Sequence, residues 1–187
     1  IEAIAGQLAH SFSREARMLE LVEYITALPK AELHVHIEGT IEAELLFSIA
    51  DRNGVRLPYK TADDVLAGQV GDQSDPKQSL DNFIQSLDVC RGVLRTGQDY
   101  HDIAYGYLRR CQQEKIVYTE IMFDPQTHIQ RGINLQTVLS GFSRAIAKAE
   151  QDWQQSVLLI LCLLRDLSES EGLQTLRQAK PLLEQIT

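Results

Sequence analysis

The stretch SVLLILCLL, from Ser156 to Leu164, is apolar at nearly every position. A strand with one face in water alternates apolar and polar residues, whereas a strand buried on both faces of a parallel sheet does not alternate. This stretch therefore predicts a β-strand inside a parallel sheet that is covered by helices. Such a sheet requires right-handed strand–helix–strand connections, which the rest of the chain has to supply.

Two further strands are predicted upstream of this one, at ELHVHI (Glu32–Ile37) and IVYTEIMF (Ile116–Phe123). Apolar residues at helical spacing fill most of the chain between the three strands, and a last helix follows the third. The order predicts an α/β fold, either an open doubly wound sheet or part of a (β/α)8 barrel. We find no glycine-rich phosphate loop after any strand, which argues against a nucleotide-binding doubly wound sheet.

Several residues predict where the helices begin and end. Thr40 is expected to cap a helix that stops at Asn53-Gly54. Thr96, Asn134 and Ser168 are the other expected N-caps, listed here in chain order.

Composition and charge exclude several classes of protein. The 187 residues include 18 Lys and Arg against 26 Asp and Glu, a net charge of −8, which disfavours binding to nucleic acid. No apolar run reaches the roughly 18–20 residues of a membrane span, and no leader pattern stands at the N-terminus. Three cysteines without a CxxC pair favour a reducing, cytoplasmic location.

The pair His34 and His36 is the strongest indication of chemistry. Residues two apart in a strand point to one side, so both imidazoles should leave the end of the first strand together. Two neutral imidazoles so placed can bind one Zn²⁺ at about 2.0–2.1 Å. Glu38 adds a carboxylate there, and Gly39 a turn. The alternative is that both histidines are polar residues on a solvent-facing strand.

The segment LPKAELHVHIEGTIEAELLFSIADRNGVRLP (Leu28–Pro58) resembles the opening of the adenosine/adenine deaminase family, within the metal-dependent amidohydrolase superfamily. The likeness continues through Val93–Cys111, Glu120–Ile133 and Leu159–Glu169, and so covers nearly the whole chain from residue 28. Two features resemble the adenine deaminase branch. Glu38 stands where adenosine deaminases usually carry an Asp that helps to hold the ribose, and FDPQTH (Phe123–His128) is typical of the adenine branch.

The resemblance implies that the chain is the N-terminal part of a TIM (β/α)8 barrel, about three βα units. Residues 1–27 would form an N-terminal arm and helix. Residues 28–187 would form a partial amidohydrolase barrel with strands near 32–37, 116–124 and 156–164. A typical barrel needs roughly 250 residues, so the chain would be a fragment or a truncated product.

The resemblance also implies a site and a reaction. His34 and His36 would be two ligands of a single catalytic Zn²⁺, and the reaction would be hydrolytic deamination of adenine to hypoxanthine and ammonia. The general-acid Glu and the second catalytic His of the family are expected beyond Thr187. No catalytic residue is therefore expected within this chain, and the chain alone should be inactive.

Other residues are assigned around the metal and its small-molecule purine substrate. Glu38, Gly39 and Asp124 are expected to bind the substrate, with loop capping as the alternative for Asp124. Glu120 is expected to accept a hydrogen bond from a zinc-binding histidine, at the ring nitrogen that does not bind the metal. The alternative is a structural ion pair between Glu120 and an Arg or Lys.

Three other functions stay open at this point. The substrate of the full-length parent could be adenosine or an N6-substituted adenine nucleotide. The third possibility belongs to another functional class: the chain would be a non-catalytic half-barrel that acts as an interaction module.

Overall fold

The centre of the fold is a parallel sheet of three strands, seen in a computed structural model that describes residues 17–70 and 75–185. The strands are β1 (Lys30–His36), β2 (Ile116–Phe123) and β3 (Ser156–Leu161), and β2 lies between the other two. Spatial order thus equals chain order, as it does for consecutive units of a β/α barrel.

Helices connect the strands and follow the last of them. Residues 17–27 form helix α1, ahead of β1; residues 1–16 of the expected arm lie outside the described part. The elements between β1 and β2 are a 3-10 turn (Ile37–Thr40), α2 (Ala43–Arg52), α3 (Ala62–Val70), α4 (Pro76–Val93) and α5 (Gly97–Gln113). Strand β2 is followed by α6 (Pro125–Gln130) and α7 (Leu135–Trp153). Strand β3 is followed by α8 (Glu169–Ala179) and a 3-10 turn (Lys180–Gln185). None of the helices in these two ranges is both long and apolar enough to cross a membrane.

Most of the predicted helix caps are confirmed. Thr96 and Ser168 each form a reciprocal capping box, and the Asn134 side chain accepts a hydrogen bond from the amide of Gln136. Asn53 ends α2 and is followed by Gly54 at a φ of 63°, a conformation that favours glycine.

The expected cap at Thr40 is wrong. Thr40 closes the 3-10 turn, and its hydroxyl donates to the carbonyl of Ile37 at 2.9 Å. Helix α2 starts later because Ile41 and Glu42 are extended and Ile41 is buried in the core. Burial of that one apolar side chain outweighs the capping preference of a threonine.

Two strands differ from their expected bounds. β1 runs from Lys30 and carries an extra residue: Glu32 pairs with Thr119, but Val35 pairs with Ile121. β3 stops at Leu161 instead of near 164. Beyond Leu161, a backbone hydrogen bond from the Cys162 amide to the Phe123 carbonyl still joins the two strands. The pairing then ends because the chain after β2 enters helix α6 at Pro125.

The core lies between one face of the sheet and the helices α5 and α7, which pack against each other. Ile121 and Phe123 are buried on this face of β2, and Phe142 of α7 contacts both Phe123 and Tyr100 edge to face. On the other face of the sheet, β3 is less buried than its continuously apolar sequence predicts. Leu158 and Ile160 are half-buried there, whereas Leu159, on the core face, is buried. The described helices therefore cover the sheet mainly from one side.

Candidate metal and substrate site

The candidate site lies at the carboxyl ends of the three strands. His34 and His36 end β1, Asp124 directly follows β2, and Cys162 directly follows β3. Parallel neighbours bring these ends to one edge of the sheet, which is the edge where β/α barrels carry their active sites.

The two histidines are brought together by a bulge rather than by a regular strand. His34 has a φ of 64°, the left-handed region, at the point where β1 carries its extra residue. The ring centroids of His34 and His36 are 5.7 Å apart, and the ring planes are inclined by 53°. His34 is exposed and His36 is half-buried. The two imidazoles therefore lie next to each other, as the HxH spacing predicts, although the backbone at His34 is a bulge and not a regular strand.

A buried carboxylate stands behind His36. Asp124 Oδ1 lies 3.4 Å from His36 Nδ1, and Asp124 Oδ2 accepts a hydrogen bond from Nη2 of Arg91. The Asp124 side chain is 2% exposed and that of Arg91 10% exposed. Burial raises the pKa of Asp124, the nearby charge of Glu38 raises it further, and Arg91 and His36 oppose this rise.

A second buried carboxylate, Glu38, lies beside the first. Its Oε1 accepts hydrogen bonds from the backbone amide of Asp124 at 3.1 Å and from His128 Nε2 at 3.0 Å. Glu38 has no exposed surface. Burial alone would raise the pKa of Glu38, but the hydrogen bonds from His128 and Asp124 hold the pKa below its ordinary value.

The tautomer of His128 follows from its other neighbours. Nη2 of Arg131 lies 2.8 Å from His128 Nδ1, and the Tyr100 hydroxyl lies 3.0 Å from the same atom. A guanidinium can only donate, so Nδ1 accepts and Nε2 carries the proton that is donated to Glu38. Glu38 and Asp124 are thus separately supported, by His128 and by Arg91.

Gly39 lies in the 3-10 turn after β1, and Glu120 lies within β2, in different surroundings. Gly39 approaches α4 closely, because a Cβ there would stand 3.0 Å from Leu87 Cδ2. It also lines a cavity of about 540 Å³ together with Tyr107 and Arg110. Glu120 is half-buried, and its Oε1 accepts a hydrogen bond from the Tyr118 hydroxyl at 3.0 Å.

The donor set at this edge fits a zinc ion. Nδ1 of His36 faces Asp124, which leaves Nε2 as the ring atom for a metal, next to the exposed imidazole of His34. A second grouping consists of His36, Asp124 and Cys162, whose ligand atoms lie within 4.8 Å of one another. Since Asp124 is already paired with Arg91, we interpret this second grouping as part of a hydrogen-bonding cluster.

Sequence reasoning missed Arg91 and the role of His128. Arg91 is part of the amphipathic helix α4, between the buried Cys90 and Val93. A charged side chain at a buried helical position indicates a buried counter-charge, and this signal was available in the sequence. His128 is buried in the short helix α6, where it contacts Glu38.

Comparison with known proteins gives a consistent result. The sequence pattern described as adenosine deaminase matches residues 29–186. An adenine deaminase of Wolinella succinogenes is 43% identical over 169 residues, which are 90% of this chain and 49% of that protein. An adenine deaminase of Paraburkholderia xenovorans is 44% identical over 165 residues, 88% of this chain and 45% of that protein. The chain spans about half the length of the curated relatives it matches.

Solved structures agree with the fold. The crystal structure of an adenine deaminase from Arthrobacter aurescens superposes with a TM-score of 0.75 and 38% identity, and the match covers 83% of this chain and 46% of that chain. An amidohydrolase from Burkholderia ambifaria, solved with bound zinc, has a TM-score of 0.72 at 22% identity, over 85% and 42% of the two chains, and supports the fold alone. The three-stranded sheet is therefore the N-terminal part of a (β/α)8 barrel, and the chain belongs to the adenosine deaminase family.

Proposed function

We propose that the full-length protein carrying this chain is a zinc-dependent adenine deaminase, which hydrolyses adenine to hypoxanthine and ammonia. The observation that carries the proposal is the HxH pair at the carboxyl end of β1, in a chain 43% identical to a curated adenine deaminase. The purine deaminase class follows from the family, whereas the choice of adenine is the proposal.

In this proposal His34 and His36 supply two zinc ligands, and the remaining ligands, the general-acid Glu and the second His come from outside the chain. When bound, zinc lowers the pKa of a water molecule toward neutrality and so supplies hydroxide for hydrolysis. His36 binds through Nε2, because its Nδ1 faces the Asp124 carboxylate. The three free cysteines fit a reducing compartment, and we place the protein in the cytoplasm.

The roles of the other site residues stay predictions. Contact of Glu38, Gly39 and Asp124 with the purine is proposed from the family likeness. Glu38 is closed off from solvent, so its part in such a contact would be to shape the wall beneath the substrate. Support of a zinc-binding histidine by Glu120 is likewise a proposal, with the Tyr118 hydroxyl as its present partner.

The test is made on the full-length protein. Its zinc content is measured, and ammonia release is followed with adenine, adenosine and an N6-methylated adenine nucleotide in parallel. We expect one zinc per chain and the highest kcat/KM with adenine. His34→Ala and His36→Ala should each lower zinc content and abolish turnover. His101→Ala is the matched control, because His101 lies on α5 and contacts Gln98 and Asp102 instead of the site.

Each alternative function gives a different result in the same assay. A higher kcat/KM with adenosine or with the nucleotide would overturn the assignment of adenine. A full-length protein that binds zinc in no preparation and releases no ammonia from any of the three substrates would favour the non-catalytic interaction module.

A further inference from the structure

We propose that Arg91 is a positioning residue for the metal site: it clamps Asp124, and Asp124 in turn holds the His36 imidazole with its proton on Nδ1. The inference rests on the proposed function, in which His36 is a zinc ligand. It adds a residue from α4, a helix that contributes nothing to the HxH motif.

The first step is the contact between Arg91 and Asp124. Arg91 comes 33 residues before Asp124, and its side chain is nine-tenths buried, although it carries a charge. Such burial is tolerated only when the charge is paired, and Nη2 of Arg91 donates to Asp124 Oδ2. The backbone of Arg91 is also held, since Nη1 of Arg131 donates to its carbonyl. Arg91 is therefore itself fixed in place.

The second step is the contact between Asp124 and His36. Asp124 Oδ1 is buried without a hydrogen bond of normal geometry in the described part of the chain, and His36 Nδ1 lies 3.4 Å from it. A carboxylate can only accept, so the neutral imidazole facing it carries its proton on Nδ1. Nε2 is then unprotonated, as a metal ligand must be.

The need for a clamp comes from the neighbouring carboxylate. Glu38 Oε1 lies 3.1 Å from the Asp124 amide, so two buried carboxylates share one small region. Glu38 is paired with His128, and the Asp124 carboxylate is paired with the guanidinium of Arg91. Without Arg91, repulsion from Glu38 would favour rotation of Asp124 away from His36.

A competing donor to Asp124 is the thiol of Cys162. Its Sγ lies within 4.8 Å of a carboxylate oxygen of Asp124 and of a ring nitrogen of His36. If the thiol holds Asp124 instead, the tautomer of His36 will not depend on Arg91. The experiment separates the two arrangements.

The test measures the His36 tautomer in metal-free, full-length protein labelled with ¹⁵N-histidine. Long-range ¹H–¹⁵N correlation spectra distinguish the two neutral tautomers, and the His36 signals are assigned by their loss in His36→Gln. We expect the Nδ1–H form in the wild type. In Arg91→Met and in Asp124→Asn we expect a shift toward the Nε2–H form, which a free imidazole side chain favours in water.

Zinc affinity is measured on the same proteins by competition with a chelator. We expect Arg91→Met and Asp124→Asn to bind zinc about 10–100-fold more weakly than the wild type, the range found when support behind a metal ligand is removed. Arg91→Lys keeps the charge and should recover part of the affinity. It also keeps the test usable if Arg91→Met does not fold.

Arg52→Met is the matched control. Arg52 donates to the buried Asp99 and to Asp102 of α5, so this variant also removes an arginine from a buried aspartate. It should lower stability while leaving the His36 tautomer and the zinc affinity unchanged.

The inference is overturned if Arg91→Met matches Arg52→Met in both tautomer and zinc affinity. It is also overturned if Cys162→Ser shifts the tautomer and Arg91→Met does not. Failure of the proposed function looks different: the wild type then neither binds zinc nor deaminates, while the tautomer of the metal-free protein still reports on the clamp.

Discussion

At the scale of single residues, Asp99 joins the end of one helix to the start of another. Its Oδ2 accepts hydrogen bonds from the backbone amides of Arg95 and Thr96, at 2.8 and 2.7 Å, ahead of α5. Arg52 and Asn53, at the end of α2, donate to the same carboxylate. Burial alone would raise the pKa of Asp99, but these hydrogen bonds hold the pKa below its ordinary value.

Substitution Asp99→Asn should therefore reduce stability in a pH-dependent way. At neutral pH we expect a loss of about 1–3 kcal/mol in the free energy of unfolding, because buried donors lose their acceptor. Since the folded pKa is lowered, the carboxylate stabilises the fold above its unfolded pKa of about 3.9, and this contribution is lost as the pH falls through the folded pKa.

The measurement is urea unfolding of wild type and Asp99→Asn at a series of pH values from 7 down to 3. The difference between the two proteins should shrink as the pH falls. A difference that stays constant down to pH 3 would mean that the ionised carboxylate is not what stabilises this joint. Asp81→Asn is a suitable control, because the Asp81 side chain is exposed.

The same scale shows what local patterns can reveal. The HxH pair could be found from its spacing, because it depends on residues two apart. Which residues pair next to these histidines could not be assigned from local patterns, since His128 contacts Glu38 across 90 residues and Arg91 contacts Asp124 across 33. The burial of Glu38 follows from those contacts and has no local signature.

At the scale of elements, α5 and α7 are in close contact at Gly141. A Cβ at this position would stand 2.5 Å from the carbonyl oxygen of Gly97 and 2.5 Å from Tyr100 Cβ. Gly141 therefore sets the distance between these helices, and through Tyr100 and Phe142 it affects the aromatic cluster of the core.

Substitution Gly141→Ala should destabilise the protein by about 1–3 kcal/mol, because the helices must separate to accommodate the methyl group. Gly92→Ala is the matched control: Gly92 lies within α4, and a Cβ there meets nothing within 4 Å. That change should stabilise by about 0.5–1 kcal/mol through the higher helix propensity of alanine. Thermal unfolding of the two variants checks both signs, and equal midpoints would contradict the close-contact explanation.

Helix ends were predictable wherever the signal is local. The capping boxes at Thr96 and Ser168 involve residues three apart, and the sequence alone locates them. The prediction at Thr40 was wrong because a tertiary contact, the burial of Ile41 in the core, decides where α2 begins. The bulge at His34 also had no signature in the residue pattern.

At the scale of the whole molecule, the sheet has two strands that pair on one side only within the described residues, namely β1 and β3. Helix α1 is exposed along its length, and its apolar side chains include Leu19, Val22 and Ile25 at 66%, 55% and 48% exposure. Unpaired strand edges and exposed apolar surface both favour association.

We therefore expect the 187-residue chain, expressed alone, to self-associate and to show no deaminase activity. Light scattering after size exclusion should give a mass above the 21.1 kDa of the chain at micromolar concentration, and the share of associated material should grow with concentration. A stable 21.1 kDa monomer over that range would contradict the expectation. The full-length protein is the control, because in the relatives about half of the chain lies outside the matched region.

The sequence by itself determined the three strands and most of the helices, the parallel α/β class, and the HxH pair with the family likeness around it. Each of these depends on residues that are near one another along the chain. The tertiary structure alone decided that Glu38 and Asp124 lie buried side by side, that Arg91 and His128 support them separately, and that β1 bulges at His34. These features come from packing between distant segments, where burial makes a charge acceptable only beside its partner.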